Sequence, residues 1–208
     1  MRRGTRIFRW LGAVCLAACG LLAAGLAWPS PRARVDLVWS GEQVQSAWVS
    51  LQTESTSSDA APAPGLSVAI DSPGLALKGR RERLELSVDV APDSRAVPVY
   101  ILAAEVVSAE VRVSPAGESG QALRPATAFA WSLVALHAPE ASATILVRLR
   151  RHAAGGEAEA ERLLLARELV LPVRTLAGLS APAATWAAGI LGLAGAILWV
   201  AAGLPRTR

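Results

Sequence analysis

The chain has 208 residues, of which 52% are apolar and 18% charged, with two cysteines and two histidines. That length fits one ordinary domain plus extra segments, and the apolar share is too high for a disordered chain. So few cysteines and histidines exclude a disulfide framework or a multi-ligand zinc site.

The net charge of +4 suggests an anion binder, but its distribution does not. Residues 35–174 hold 17 acidic residues against 13 basic ones, a balance of −4. The other basic residues, Arg2, Arg3, Arg6, Arg9, Arg32, Arg34, Arg206 and Arg208, flank apolar segments. A nucleic-acid footprint needs positive charge clustered on the folded part, so no nucleic-acid partner is expected.

In chain order, residues 1–9 read as a basic cytoplasmic tail and residues 10–28 as a transmembrane helix. Trp10 to Trp28 carries no charge, and at 1.5 Å per residue its two tryptophans are about 27 Å apart, near the hydrocarbon thickness of a bilayer. A retained signal anchor is the preferred reading. A cleaved signal peptide with Gly25-Leu26-Ala27 as cleavage site is the first alternative. The run Leu16-Ala17-Ala18-Cys19-Gly20, which resembles a lipobox lipidated at Cys19, is the second. Residues 183–204 form another uncharged segment of spanning length, with 205–208 as a second cytoplasmic tail. The arginine bias places both ends in the cytoplasm and residues 35–174 outside the inner membrane, with Arg32 and Arg34 as a weak counter-signal. Small residues recur every four positions in both segments, among them Cys19 and Ala23 in one and Ala188, Gly192 and Ala196 in the other. Such ladders allow helix backbones to approach, and these residues are the expected packing face. Alanine-rich sequence also produces such ladders by chance.

Between linkers at 29–34 and 175–182, the segment 35–174 alternates apolar and polar residues with period two. The clearest run is Arg83-Leu84-Glu85-Leu86-Ser87-Val88-Asp89-Val90. Others centre on Val35–Trp39, Ala47–Leu51, Leu66–Ile70, Val99–Ala104, Ala109–Val113, Phe129–Leu133, Ile145–Leu149 and Leu169–Val173. No long helical period interrupts them, and the breaks are rich in Pro, Gly, Asp and Ser. The expected fold is mainly β, an antiparallel immunoglobulin-like sandwich of about eight or nine strands between two transmembrane helices. Trp131 is its expected core plug. Thr53 to Pro64 reads as a low-complexity loop, and Gly155-Gly156 as the turn of a hairpin between strands at 143–151 and 161–174.

No catalytic constellation emerges. Gly65-Leu66-Ser67-Val68-Ala69 lacks the closing glycine of a nucleophile elbow, and no phosphate loop, dinucleotide fingerprint or metalloprotease motif occurs. His137 has no motif to orient it as a base, and Glu105 with Glu110 or Glu157 with Glu159 read as solvated strand faces. No cofactor and no metal is expected. Two basic clusters, Arg80-Arg81 and Arg148, Arg150 and Arg151, are candidate contacts to head groups, glycans or a partner's acidic patch. Charge that blocks edge pairing at a strand end explains them without a partner and is the favoured reading.

Phe129-Ala130-Trp131-Ser132-Leu133, Ile145-Leu146-Val147-Arg148-Leu149-Arg150, the Gly-Gly turn and a final strand leading into Gly178-Leu179-Ser180 and a membrane helix together resemble the ends of uncharacterised bacterial membrane-anchored proteins. The likeness spans roughly residues 80–200. It implies an immunoglobulin-like sandwich held at the envelope and no particular activity. The expected function is therefore a non-enzymatic, membrane-anchored extracytoplasmic module that binds another membrane or envelope protein. The alternative is a small-ligand or glycan sensor with a pocket lined by Trp39, Trp48 or Trp131.

Overall fold

The computed structural model describes residues 2–39, 66–90, 100–152 and 158–203. The strand expected at Ala47–Leu51, the Thr53–Pro64 loop, Trp48, the Gly155-Gly156 turn and Glu157 lie outside them.

Helix α1 runs Arg2–Ala27 and helix α2 Ala181–Gly203. Between them lie strands β1 Arg32–Trp39, β2 Leu66–Pro73, β3 Ala76–Leu77, β4 Arg81–Val90, β5 Tyr100–Val107, β6 Val111–Ser114, β7 Ser119–Ala122, β8 Ala126–Ala135, β9 Glu140–His152 and β10 Ala158–Arg174. The protein is thus mainly β, with an apolar helix before and after the strands in the sequence. Several elements begin earlier than the hydropathy pattern alone indicates, α1 and β1 among them. Helix α1 continues through Arg2–Arg9 because arginine is a good helix former and needs no lipid. Strand β1 starts at Arg32 because Arg32 and Arg34 sit on its outward positions, where Arg32 Nη1 lies 3.2 Å from Asp71 Oδ2 of β2.

The chain divides into two compact units, one of residues 31–76 with 81–173 and one of residues 1–30, 77–80 and 174–208. The first is the strand module. One antiparallel sheet has the order β1-β2-β4-β8-β6, and the other has β3-β10-β9-β5-β7. Period-two alternation sends one set of side chains inward from each sheet. Leu66, Val68 and Ile70 of β2, Leu84, Leu86 and Val88 of β4, and Phe129, Trp131 and Leu133 of β8 meet Leu102 and Ala104 of β5 and Ile145, Val147 and Leu149 of β9 in a single core. Trp131 is 2% exposed and stacks on Phe129 with ring centroids 6.0 Å apart. It fills the core as its strand position implies. Strands β9 and β10 pair along nearly their whole length, from His152 opposite Ala158 to Glu140 opposite Pro172.

The second unit holds the two helices, each with a stretch of 22 residues long and apolar enough to cross a membrane. They pack antiparallel. A Cβ built on Gly12 would lie 3.2 Å from the Gly195 carbonyl oxygen, and one on Gly195 only 2.9 Å from Leu16 Cγ and 3.1 Å from the Gly12 oxygen. Further along, a Cβ on Gly192 would lie 3.2 Å from Cys19 Sγ. Backbone meets backbone at Gly12 and Gly195, which is what small residues permit between helices in lipid.

Candidate functional site

The helix pair sets the frame. On α1 the buried or half-buried positions include Gly12, Cys15, Cys19, Leu22 and Leu26, and on α2 they include Ala184, Ala188, Leu191, Gly195, Leu198 and Ala202. Both runs alternate steps of three and four, the spacing of a seam between helices crossing at a shallow angle. Cys19, Ala188 and Gly192 lie on this seam, whereas Ala23 and Ala196 are exposed. The reason is geometric: a strict four-residue ladder rotates by about 40° per step around a helix of 3.6 residues per turn and leaves the contact after two or three steps. The seam was hidden because it mixes small residues with Leu22, Leu191 and Leu198.

Both helices expose large apolar side chains, among them Trp10, Leu11, Val14 and Leu21 on α1. On α2 the exposed positions Trp186, Ile190, Leu193, Ile197 and Val200 carry large apolar side chains. On α1 a second exposed run with the same spacing, Ala13, Ala17, Gly20, Ala24 and Ala27, carries none. Nothing lies within 4 Å of a Cβ built on Gly20.

A short turn joins the helix ends. At residues 77–80 the Arg80 amide donates to the Leu77 carbonyl over 2.9 Å. The turn needs glycine at Gly79, whose φ is +76° and whose Cβ would meet Pro182 Cδ at 2.9 Å. The Lys78 amide donates to the Arg174 carbonyl (2.9 Å), and the Lys78 carbonyl accepts from the Ala181 amide at the start of α2 (2.7 Å). Arg80 turns to the other helix. Its Nη1 donates to the carbonyls of Leu26 (3.1 Å) and Trp28 (2.9 Å), and its Nη2 donates to Ser30 Oγ. A helix end leaves four carbonyls without partners and a partial negative charge, and a guanidinium placed there answers both. Arg80, a candidate surface contact by sequence, is therefore the cap that holds the end of α1. We call this turn the collar.

In the strand module the other basic cluster is also occupied. Arg148 and Arg150 of β9 project from the face opposite the core, and three glutamates converge on them. Arg148 Nη1 lies 3.3 Å from Glu105 Oε2 of β5 and 2.9 Å from Glu118 Oε2, while its Nε lies 3.2 Å from Glu161 Oε1 of β10. Arg150 Nη2 reaches Glu118 Oε2 at 2.8 Å and Glu161 Oε2 at 3.0 Å, and its Nη1 also pairs with Glu118. The hydrogen bond that Arg150 donates to Glu161 holds its guanidinium above the ordinary pKa against the opposing effect of desolvation. Since a raised guanidinium stays charged throughout the working pH range, Arg150 makes no pH-dependent contribution to stability there. Two cations facing three carboxylates leave no free positive charge for an acidic partner. Arg151 sits in β9 opposite Tyr100 and Ala160, and Arg81 is exposed at the start of β4 in the other sheet.

The remaining candidates are dispersed. Glu105 and Glu110 do not pair: Glu105 joins the arginines, and Glu110 Oε2 accepts from the Ser142 amide at 2.7 Å. His137 is exposed after β8. The described residues contain no group of three metal-ligating side chains. A cleft of about 240 Å³ opens on the outer face of the first sheet, lined by Arg34, Asp71, Arg83, Glu85 and Ser87 over a floor that includes Ala69, Ala128 and Ala130. Arg34 Nε donates to Asp36 at 2.9 Å, which holds its guanidinium above the ordinary pKa. No tryptophan lines the cleft: Trp131 is in the core, and Trp39 packs half-buried against it.

One residue had no sequence signal. Arg174, the last residue of β10, has Nε and Nη2 shielded from solvent with no hydrogen-bond partner.

No protein-family model and no curated protein matches the sequence. Among solved structures, the chain is similar to a conjugative transposon lipoprotein from Bacteroides eggerthii, at 10% identity over 50% of this chain and 93% of that one, with a TM-score of 0.31. It is also similar to a cohesin module of a family 33 glycoside hydrolase from Clostridium perfringens, at 9% identity over 52% and 96% of the two chains, with a TM-score of 0.33. A cupredoxin domain of amoB from Nitrosocaldus yellowstonii aligns at 12% identity over 49% and 58%, with a TM-score of 0.26.

Proposed function

We propose that this protein is a non-enzymatic, membrane-anchored module whose immunoglobulin-like sandwich is held outside the inner membrane by both helices, and that it assembles with another membrane protein. The observation that carries this reading is the exposed run of small residues along one face of α1. The large apolar chains that both helices expose elsewhere suit lipid. The exposed run Ala13, Ala17, Gly20, Ala24 and Ala27 on α1 leaves a smooth groove that lipid tails fill poorly and a third helix fills well. Because α1 and α2 already satisfy each other along their seam, the helix that enters this groove belongs to a partner.

The test is position-dependent crosslinking in native membranes. A photoreactive residue at Ala17 or Gly20 is expected to yield one discrete adduct, and the same residue at Leu193 on α2 none. Equal adducts at all three positions, or none together with recovery of the chain alone from mild detergent, would overturn the proposal.

The cleft on the first sheet favours a second reading, a small-ligand module. Its mixed rim of Arg34, Arg83, Asp71 and Glu85 suits a zwitterionic or polyhydroxylated molecule. Chemical-shift changes confined to Ala69, Ser87 and Ala128 on titration with such compounds would support it.

A further inference from the structure

We propose that the collar binds the phosphate group of an anionic lipid, with the Arg174 guanidinium as principal donor. The inference rests on α1 and α2 crossing a membrane, and it is independent of any protein partner.

Three observations converge. First, Nε and Nη2 form one edge of the guanidinium, two parallel donors that match a phosphate or carboxylate, and in Arg174 both are shielded and unpartnered. Arginine cannot relieve this by losing its proton, so a buried edge without an acceptor is strongly unfavourable unless an anion completes it. The residue as a whole is half-buried.

Second, the collar's own unit cannot supply that anion. Residues 1–30, 77–80 and 174–208 contain no aspartate or glutamate, while the collar joins the Lys78 and Arg174 backbones by a hydrogen bond and carries the Arg80 cap of α1. Third, the two helix ends here are treated unequally. The negative end of α1 receives the Arg80 cation, whereas the first turn of α2 has no acidic residue to face its positive end. An anion would answer the empty arginine edge, and the first turn of α2 holds no acidic residue that would repel it. At the water-facing end of a membrane helix pair, the abundant anion is a lipid phosphate, and basic pockets there are head-group sites.

The experiment uses the full chain in a mild non-ionic detergent doped with phosphatidylglycerol or phosphatidylcholine, with retained lipid counted by native mass spectrometry. Wild type is expected to retain the anionic lipid about fivefold better than the zwitterionic one. R174Q should lose that preference, R174K should keep part of it, and R112Q, an equal charge change on the exposed face of β6, should leave it intact. Retention unaffected by millimolar inorganic phosphate supports a lipid source, and displacement by phosphate overturns it. If R174Q fails to fold, the wild-type ratio still decides: equal retention of both lipids refutes the site, whatever the fate of the crosslinking test.

Discussion

The arginines of β9 and the arginine that ends β10 stand in opposite surroundings. Arg148 and Arg150 share Glu118 and Glu161, and Arg148 also reaches Glu105, so these two cations are paired within the strand module. Arg174 has an edge with no acceptor, in a unit whose sequence contains no carboxylate. Arg80 lies between these cases, satisfied by backbone carbonyls and a serine rather than by acid. On the proposed membrane reading, a module in water gains by pairing its arginines internally, whereas a segment at the membrane surface gains by keeping an arginine edge for a head group.

Substitutions break or sharpen this contrast. The largest effect is expected at the collar. Arg80→Ala removes donors from Leu26, Trp28 and Ser30 and should lower stability by about 1–3 kcal/mol, read as thermal unfolding in detergent. Next is a change of opposite sign. In detergent without anionic lipid, Arg174→Met removes a charge with no partner and should raise stability by about 1 kcal/mol. A loss there would mean that Arg174 already has its acceptor. Glu118→Gln should cost only about 0.5–1 kcal/mol at low salt, because these surface pairs are partly hydrated. That loss should shrink in about 1 M salt, where screening reaches about 3 Å. The smallest change is Arg81→Gln, exposed at the start of β4, which should stay within about 0.5 kcal/mol. If it matched Arg80→Ala, the collar would not be the special position.

The legible parts of the sequence were those governed by a local period. Leu84, Leu86 and Val88 announce a half-buried strand by alternation alone, and Trp131 announces the core because its neighbours at Phe129 and Leu133 share its face. The hairpin of β9 and β10 followed from two alternating runs, and it was found. The packing face of the helices was only partly readable. Cys19, Ala188 and Gly192 lie on it, but Ala23 and Ala196 do not, since a ladder of equal steps ignores how a helix rotates. Arg80 and Arg148 looked alike in sequence as members of basic clusters. Their partners at Leu26 and Glu105 lie 54 and 43 residues away, and no local pattern links them.

By itself, then, the sequence determined the division into two apolar helices and an alternating strand module, because hydropathy and period two are properties of neighbouring residues. Tertiary structure decided which cations are neutralised, which helix face stays open and which arginine lacks an acceptor. Those outcomes depend on distances between residues far apart in the chain, set only when the strands register and the helices pack.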